Sequence, residues 1–269
     1  TRLLFLTLFI VLTVAGFISS FSFSLWFLFW ISAAGVLFYN LREREIVLTS
    51  QRKVIFFSVI VISVTVTSLV LLLFQGKNHL ADINYSKGVK LFNQGNIDEA
   101  INFIQRATLF NPSADIYWRD LAQLYLFKAN VILQKEELTA DQKRQLVQEN
   151  IALGAQAVNQ AINYSPFNVA NWNVRGFFYR NLIGVPGSDK IALESYKKAK
   201  ELEPNSPFSY GEIGRIYILL AQQAREKQLL DEEREFLSLA IENLEKAIEL
   251  KSDYAPAHYL IAVAYEQQG

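Results

Sequence analysis

The pattern of apolar and polar positions changes character near residue 75. Before it, the apolar runs are long and lack helical periodicity. Residues 54–74 hold no charged side chain across 21 positions. As a helix they would span about 31 Å, enough to cross the hydrocarbon core of a bilayer. Residues 21–39 are also uncharged and rich in aromatics, and residues 3–18 form a shorter apolar run. A signal-peptide core would account for 3–18, because Arg2 precedes it and its length is suitable. Two more apolar runs follow at once, which favours the end of a longer span. A buried soluble core is the other explanation for all three, and the missing amphipathic period argues against it. The pattern therefore predicts a membrane domain at 1–75, with spans at about 3–18, 21–39 and 54–74.

Orientation follows from the basic residues. The loop 41–53 contains Arg42, Arg44, Arg52 and Lys53, whereas residues 19–25 contain none. Short loops rich in Lys and Arg stay in the cytoplasm. This predicts that everything after Phe74 lies outside it, although Lys77 and Lys87 weigh weakly the other way.

From residue 76 to 269 the pattern becomes amphipathic and repeats itself. Gly88, Ala122, Gly176 and Gly214 are small residues, and three positions after the last three come Tyr125, Tyr179 and Tyr217. A second set of small residues, Ala107, Ala161, Ala199 and Ala247, precedes Pro112, Pro166, Pro204 and Ser252. These spacings define helix pairs at 81–114, 115–168, 169–206 and 207–254, with a fifth unit starting at Ala255. The closing positions are 54, 38 and 48 residues apart, and the extra length falls between the two helices of a unit. Asn96 with Glu99, and Thr139 with Gln142, have capping-box spacing. Residues 184–188 should break the third unit between its helices. The last unit stops partway at Gly269, and the chain has no Met, so it reads as part of a longer protein.

Composition narrows the chemistry. Zero Cys removes disulfides, thiolate ligands and cysteine nucleophiles. Residues 1–75 carry five basic against two acidic side chains, and the remainder is mildly acidic, which argues against a nucleic-acid partner. The two histidines, His79 and His258, are too few and too separated for a triad or a two-His metal site, and no phosphate-binding glycine loop occurs. His258 falls where the other units have Trp or Tyr, so a packing role fits it. The sequons at Asn84 and Asn163 fall in expected helices. Lys197, Lys198 and Lys200 read as a solvated outer face. No catalytic residue, cofactor or metal site is expected.

The repeat half resembles the tetratricopeptide (TPR) superfamily, carried by the small, aromatic and proline positions above. The resulting fold expectation is all-α: three transmembrane helices followed by a TPR α-solenoid, with four full repeats, long inter-helix insertions and the first helix of a fifth. The resemblance implies that the first helices line a groove for an extended peptide or partner helix. By position the groove candidates are Tyr85, Asn93, Arg119, Gln123, Asn173, Phe177, Arg180, Asn181 and Arg215. The three arginines would suit a carboxylate or phosphate, as in an acidic peptide or anionic glycan. Arg180 is read as exposed, so that truncating it should spare the fold. The Lys and Asn arrangement of the carboxylate-clamp subtype is not present.

The membrane half, with Phe-Ser-Phe-Ser-Leu-Trp-Phe-Leu-Phe-Trp at 21–30, a basic loop and a final span before the repeats, is similar to the carboxyl ends of bacterial O-antigen ligase/polymerase-type proteins with a TPR tail. That resemblance implies a bacterial cytoplasmic-membrane protein acting on lipid-linked glycans outside the cytoplasm. The family's catalytic external loop matches nothing here. Two functions follow: the tail of a glycan-transfer enzyme, or a non-enzymatic membrane-anchored adaptor for an envelope complex.

Overall fold

Small residues let helices approach closely, and their positions set the packing of this chain. The computed structural model describes Thr7, Ile10, residues 30–34 and residues 50–268. The expected spans at 3–18 and 21–39 lie outside these residues except at the few positions named, as do residues 41–49 of the basic loop. The chain divides into two units, Thr1–Leu69 and Val70–Gly269.

From residue 50 the structure is a series of helices. They are α1 (Gln51–Asn93), α2 (Ile97–Phe110), α3 (Asp115–Gln134), α4 (Ala140–Tyr164), α5 (Val169–Arg180), α6 (Ser188–Leu202), α7 (Pro207–Glu226), α8 (Leu230–Leu250) and α9 (Ala255–Gln268). No strand occurs among the described residues; one isolated bridge joins Ile183 and Val185.

α1 contains the apolar stretch 54–74 and, from Ala81, the first helix of the first repeat. Its 18-residue apolar window has a mean hydropathy of 2.7 and no buried share. Among the described residues it is the one helix long and apolar enough to cross a membrane, where the sequence predicts three. The Thr65 hydroxyl donates to the Val61 carbonyl at 2.8 Å, so this polar group is satisfied within the helix.

The remaining helices pair α2 with the end of α1, then α3 with α4, α5 with α6 and α7 with α8. A Cβ added at Gly88 would lie 2.6 Å from Ile104 Cγ1; at Gly176, 2.6 Å from Tyr196; at Gly214, 2.7 Å from Leu244. α1, α5 and α7 thus each have a notch that a large side chain of the paired second helix fills, whereas in the second repeat the notch is Gly154 on α4, filled by Phe178 of α5. Ala100, Ala107, Ala161, Ala192, Ala199, Ala240 and Ala247 are fully buried on the second helices. Cores packed to this density tolerate neither added nor removed atoms without cost.

The added length is absorbed in two ways. In the second and fourth units the helices lengthen, to 20 and 25 residues and to 20 and 21. In the third, helices of 12 and 15 residues flank the 181–187 loop. Gly187 closes that loop at φ +85°, in the left-handed region that glycine enters without steric cost. The Thr139–Gln142 capping box forms as expected. The one expected at Asn96 does not. Gly95 at φ +84° turns the chain so that the Asn96 N–H already donates to the Leu91 carbonyl at 2.9 Å, leaving Glu99 no donor to cap.

Short connections make the helices of each pair antiparallel, so the turns 111–114, 165–168, 203–206 and 251–254 gather at one end of the repeats. Across these turns one contact recurs. Trp118 Nε1 donates to the Pro112 carbonyl and Trp172 Nε1 to the Pro166 carbonyl, both at 2.7 Å; His258 Nε2 lies 2.7 Å from the Ser252 carbonyl. His258 therefore takes the place of a tryptophan.

Candidate functional site

On each first helix, the residues flanking the buried small position face away from the second helix. Together they form a shared inner face on α1, α3, α5 and α7. The predicted groove residues separate there into two groups.

On α1, α3 and α5 the face is open and largely apolar. Val89, Phe92, Gln123, Phe127, Phe177 and Asn181 line a pocket of about 370 Å³, with Asp120 and Asn130 at its polar margin. Phe92 and Phe127 meet edge-on, with centroids 5.4 Å apart. Asn181 Nδ2 donates to the Phe177 carbonyl at 2.7 Å, which anchors its amide at the end of α5. Beside this pocket, α1 and α3 are clasped by two reciprocal bonds. Tyr85 donates to Asp120 at 2.6 Å and Tyr117 donates to Asp82 at 2.5 Å. Burial, followed by the carboxylate acceptor, pushes both tyrosine hydroxyls well above their ordinary pKa.

Between α5 and α7 the face is charged and internally paired. Arg180 forms an ion pair with Glu212, which is buried. Arg215 Nε lies 3.4 Å from Glu212 Oε1, a charge contact without hydrogen-bond geometry. Tyr196 donates to Glu212 Oε2 at 3.3 Å, and the Arg180 guanidinium sits 5.1 Å from the Phe177 ring centroid. Burial, reinforced by Arg215, lowers the pKa of Arg180, with Tyr196 opposing. The Tyr196 hydroxyl is pushed up to about 12 by burial, against both arginines.

The expected exposure of Arg180 is therefore corrected: its side chain is 15% accessible and joins two units. Arg180 and Arg215 converge on Glu212, with Phe177 beside the Arg180 guanidinium; Glu212 is a residue that the sequence pattern does not single out. The adjacent Ile213-Gly214 marks the register, but an acidic residue there reads as surface. Arg119 and Asn173 hold equivalent positions on α3 and α5. Arg119 Nε, a donor, and Asn173 Oδ1, an acceptor, are both buried without a protein partner.

Sequence reasoning also misses Asn171, whose side chain is fully buried at the α4–α5 turn. Its amide donates to Asp115 Oδ2 and to the carbonyls of Ala161 and Ser165, each at 2.9 Å. Asn168 donates to the same Asp115 oxygen at 2.7 Å. The Asn-x-x-Asn spacing is the available signal, and it reads equally well as an ordinary cap.

No curated protein is a significant sequence match to this chain. Among solved structures, TTC0263, a thermophilic TPR protein from Thermus thermophilus, is 18% identical, with a TM-score of 0.38, covering 69% of this chain and 98% of that one. YrrB, a TPR protein with an unusual peptide-binding site, is 17% identical with a TM-score of 0.32, covering 65% and 89%. The human IFIT1 dimer with m7Gppp-AAAA is 20% identical with a TM-score of 0.39, covering 70% of this chain and 47% of that one. The family model described as TPR repeat matches residues 235–269, which span most of α8 and all of α9. The chain thus carries a TPR repeat match at residues 235–269, preceded by further helix pairs.

Proposed function

We propose that this chain is a membrane-tethered TPR scaffold lying outside the bacterial cytoplasmic membrane, and that it is the carboxyl-terminal tail of an O-antigen ligase/polymerase-type protein handling lipid-linked glycans. The observation carrying the tether is the apolar window of α1, which has no buried share. A continuous apolar surface of that length is unfavourable in water and matches the thickness of a bilayer. The basic loop supports the external placement, and the resemblance at 21–30 supports the glycan-transfer parent.

The partner held by the repeats is an extended peptide with a bulky apolar side chain. That side chain enters the Phe92–Phe127–Phe177 pocket, and Asn181 and Gln123 meet its backbone. Arg180 and Arg215 hold the face in shape through Glu212.

A reporter active only outside the cytoplasm, fused after Gln75, is expected to be active; activity of a cytoplasmic reporter there instead would overturn the topology. The upstream sequence separates enzyme tail from adaptor. Several further spans with a large external loop are expected, and a single further span would favour the adaptor.

A further inference from the structure

One exposed apolar cluster is not absorbed by the peptide site. It lies at the end of the repeats where the turns 111–114 and 165–168 gather. Leu109 is 81% and Phe167 83% exposed, and Leu80, Phe110, Ile116 and Tyr164 are exposed beside them. Two sets of contacts bring these residues to one level. The Tyr117–Asp82 and Tyr85–Asp120 bonds set α1 residue 82 level with α3 residue 117. The bonds from Asn168 and Asn171 to Asp115 bring the second turn to the start of α3. Leu80 and the two turns therefore share one edge. The turns at the opposite end, 135–139, 181–187 and 227–229, contain no aromatic residue.

We propose that this edge lies on the bilayer surface, with Leu109 and Phe167 inserted among the lipid headgroups. The inference rests on the membrane-tether reading. Its occupant is indicated by α1, whose exposed apolar residues Leu72, Leu73 and Phe74 leave the repeats at this same end. Only Gln75–Leu80 separate Phe74 from the first repeat. Six helical residues rise about 9 Å. The headgroup layer on each side of the hydrocarbon is about 5–8 Å thick. Leu80 thus lies within about one helical turn of the headgroup layer. Aromatic side chains are favoured there, because the interface accepts an apolar ring beside polar groups. Burying Leu109 and Phe167 there is favourable in proportion to the apolar area they expose.

The chain has no cysteine, so single labels are unambiguous. The full chain, reconstituted in phosphatidylcholine vesicles carrying a lipid-borne quencher, would bear a polarity-sensitive fluorophore at Ser113→Cys, Glu137→Cys or Val64→Cys. The Ser113 probe, at the apolar edge, should be quenched several-fold more than the Glu137 probe at the opposite end. The combined Leu109→Ser and Phe167→Ser substitutions should remove most of that difference. Equal quenching at Ser113 and Glu137, with Val64 in hydrocarbon, overturns the inference and leaves the tether standing. A blue-shifted Ser113 probe that lipid does not quench means that protein covers the edge, and also overturns it. Quenching that survives the double serine variant refutes the role of these side chains. A water-exposed Val64 probe sinks the tether reading and this inference together.

Discussion

The α1–α3–α5 and α5–α7 parts of the inner face are built from equivalent repeat positions, yet they offer opposite chemistry. The first presents Val89, Phe92, Phe127 and Phe177 around an open pocket. The second places Arg180 and Arg215 against the buried carboxylate of Glu212. A repeat position fixes the direction a side chain leaves its helix, but not whether that side chain remains available. Availability depends on the neighbouring unit, here a single glutamate three residues before Arg215. Removing one member of a buried pair leaves the other without compensation, whereas trimming a half-exposed pocket residue mainly removes contact area.

The largest expected effect breaks both parts at once. Gly176 positions α5, which carries Phe177 and Arg180, and Tyr196 fills the space above it. Gly176→Leu should cost at least about 1–3 kcal/mol and disrupt the fold, because neither helix can yield. Helical circular dichroism of the full chain in detergent during denaturant unfolding would reveal it; an unchanged midpoint would mean the α5–α6 register is wrong.

Next comes the charged part. Arg180→Ala should destabilise by about 1–3 kcal/mol by stripping Glu212 of its main partner. In a double-mutant cycle with Glu212→Gln, a coupling energy of about 0.5–3 kcal/mol is expected. Additive effects would show that the pair does not hold the two units together.

Alkaline pH sharpens the contrast. Tyr196 has a folded-state pKa near 12 against an ordinary value of 10. The folded chain therefore keeps this proton where the unfolded chain loses it. The contribution is complete below pH 10 and is lost as pH rises toward 12, by about 1.4 kcal/mol for each pH step of one between those two values. Tyr196→Phe should flatten part of that decline; a pH profile identical to that of the parent would contradict the burial of this hydroxyl.

The smallest effect on stability belongs to the open part. Phe127→Ala should cost only about 0.5–1.5 kcal/mol, the worth of its edge-on contact with Phe92, while weakening peptide binding. A large loss of stability would make Phe127 a core residue and remove it from the site.

The repeat array is legible in the sequence because its notches and plugs are local and periodic. Gly176 with Ala192, and Gly214 with Ala240, announce the helix pairs without any long-range information. His258 is legible as a tryptophan-type position, since its spacing from Ser252 matches that of Trp118 from Pro112. Pairing between units is not legible in the same way. The Arg180–Glu212 contact joins residues 32 positions apart whose partnership depends on the loop 181–187. The Asn171 knot likewise needs Asp115 brought back from the preceding unit. At Asn96, the left-handed Gly95 overrides the capping pattern, because a backbone bond occupies the donor first.

The most direct test of which part receives the partner is selection from a random peptide library on the full chain in lipid nanodiscs. The account predicts recovered peptides with a bulky apolar residue, bound with little dependence on salt and lost on Phe127→Ala but retained on Arg215→Ala. Acidic peptides that dissociate with added salt and fail to bind Arg215→Ala, while still binding Phe127→Ala, would contradict it.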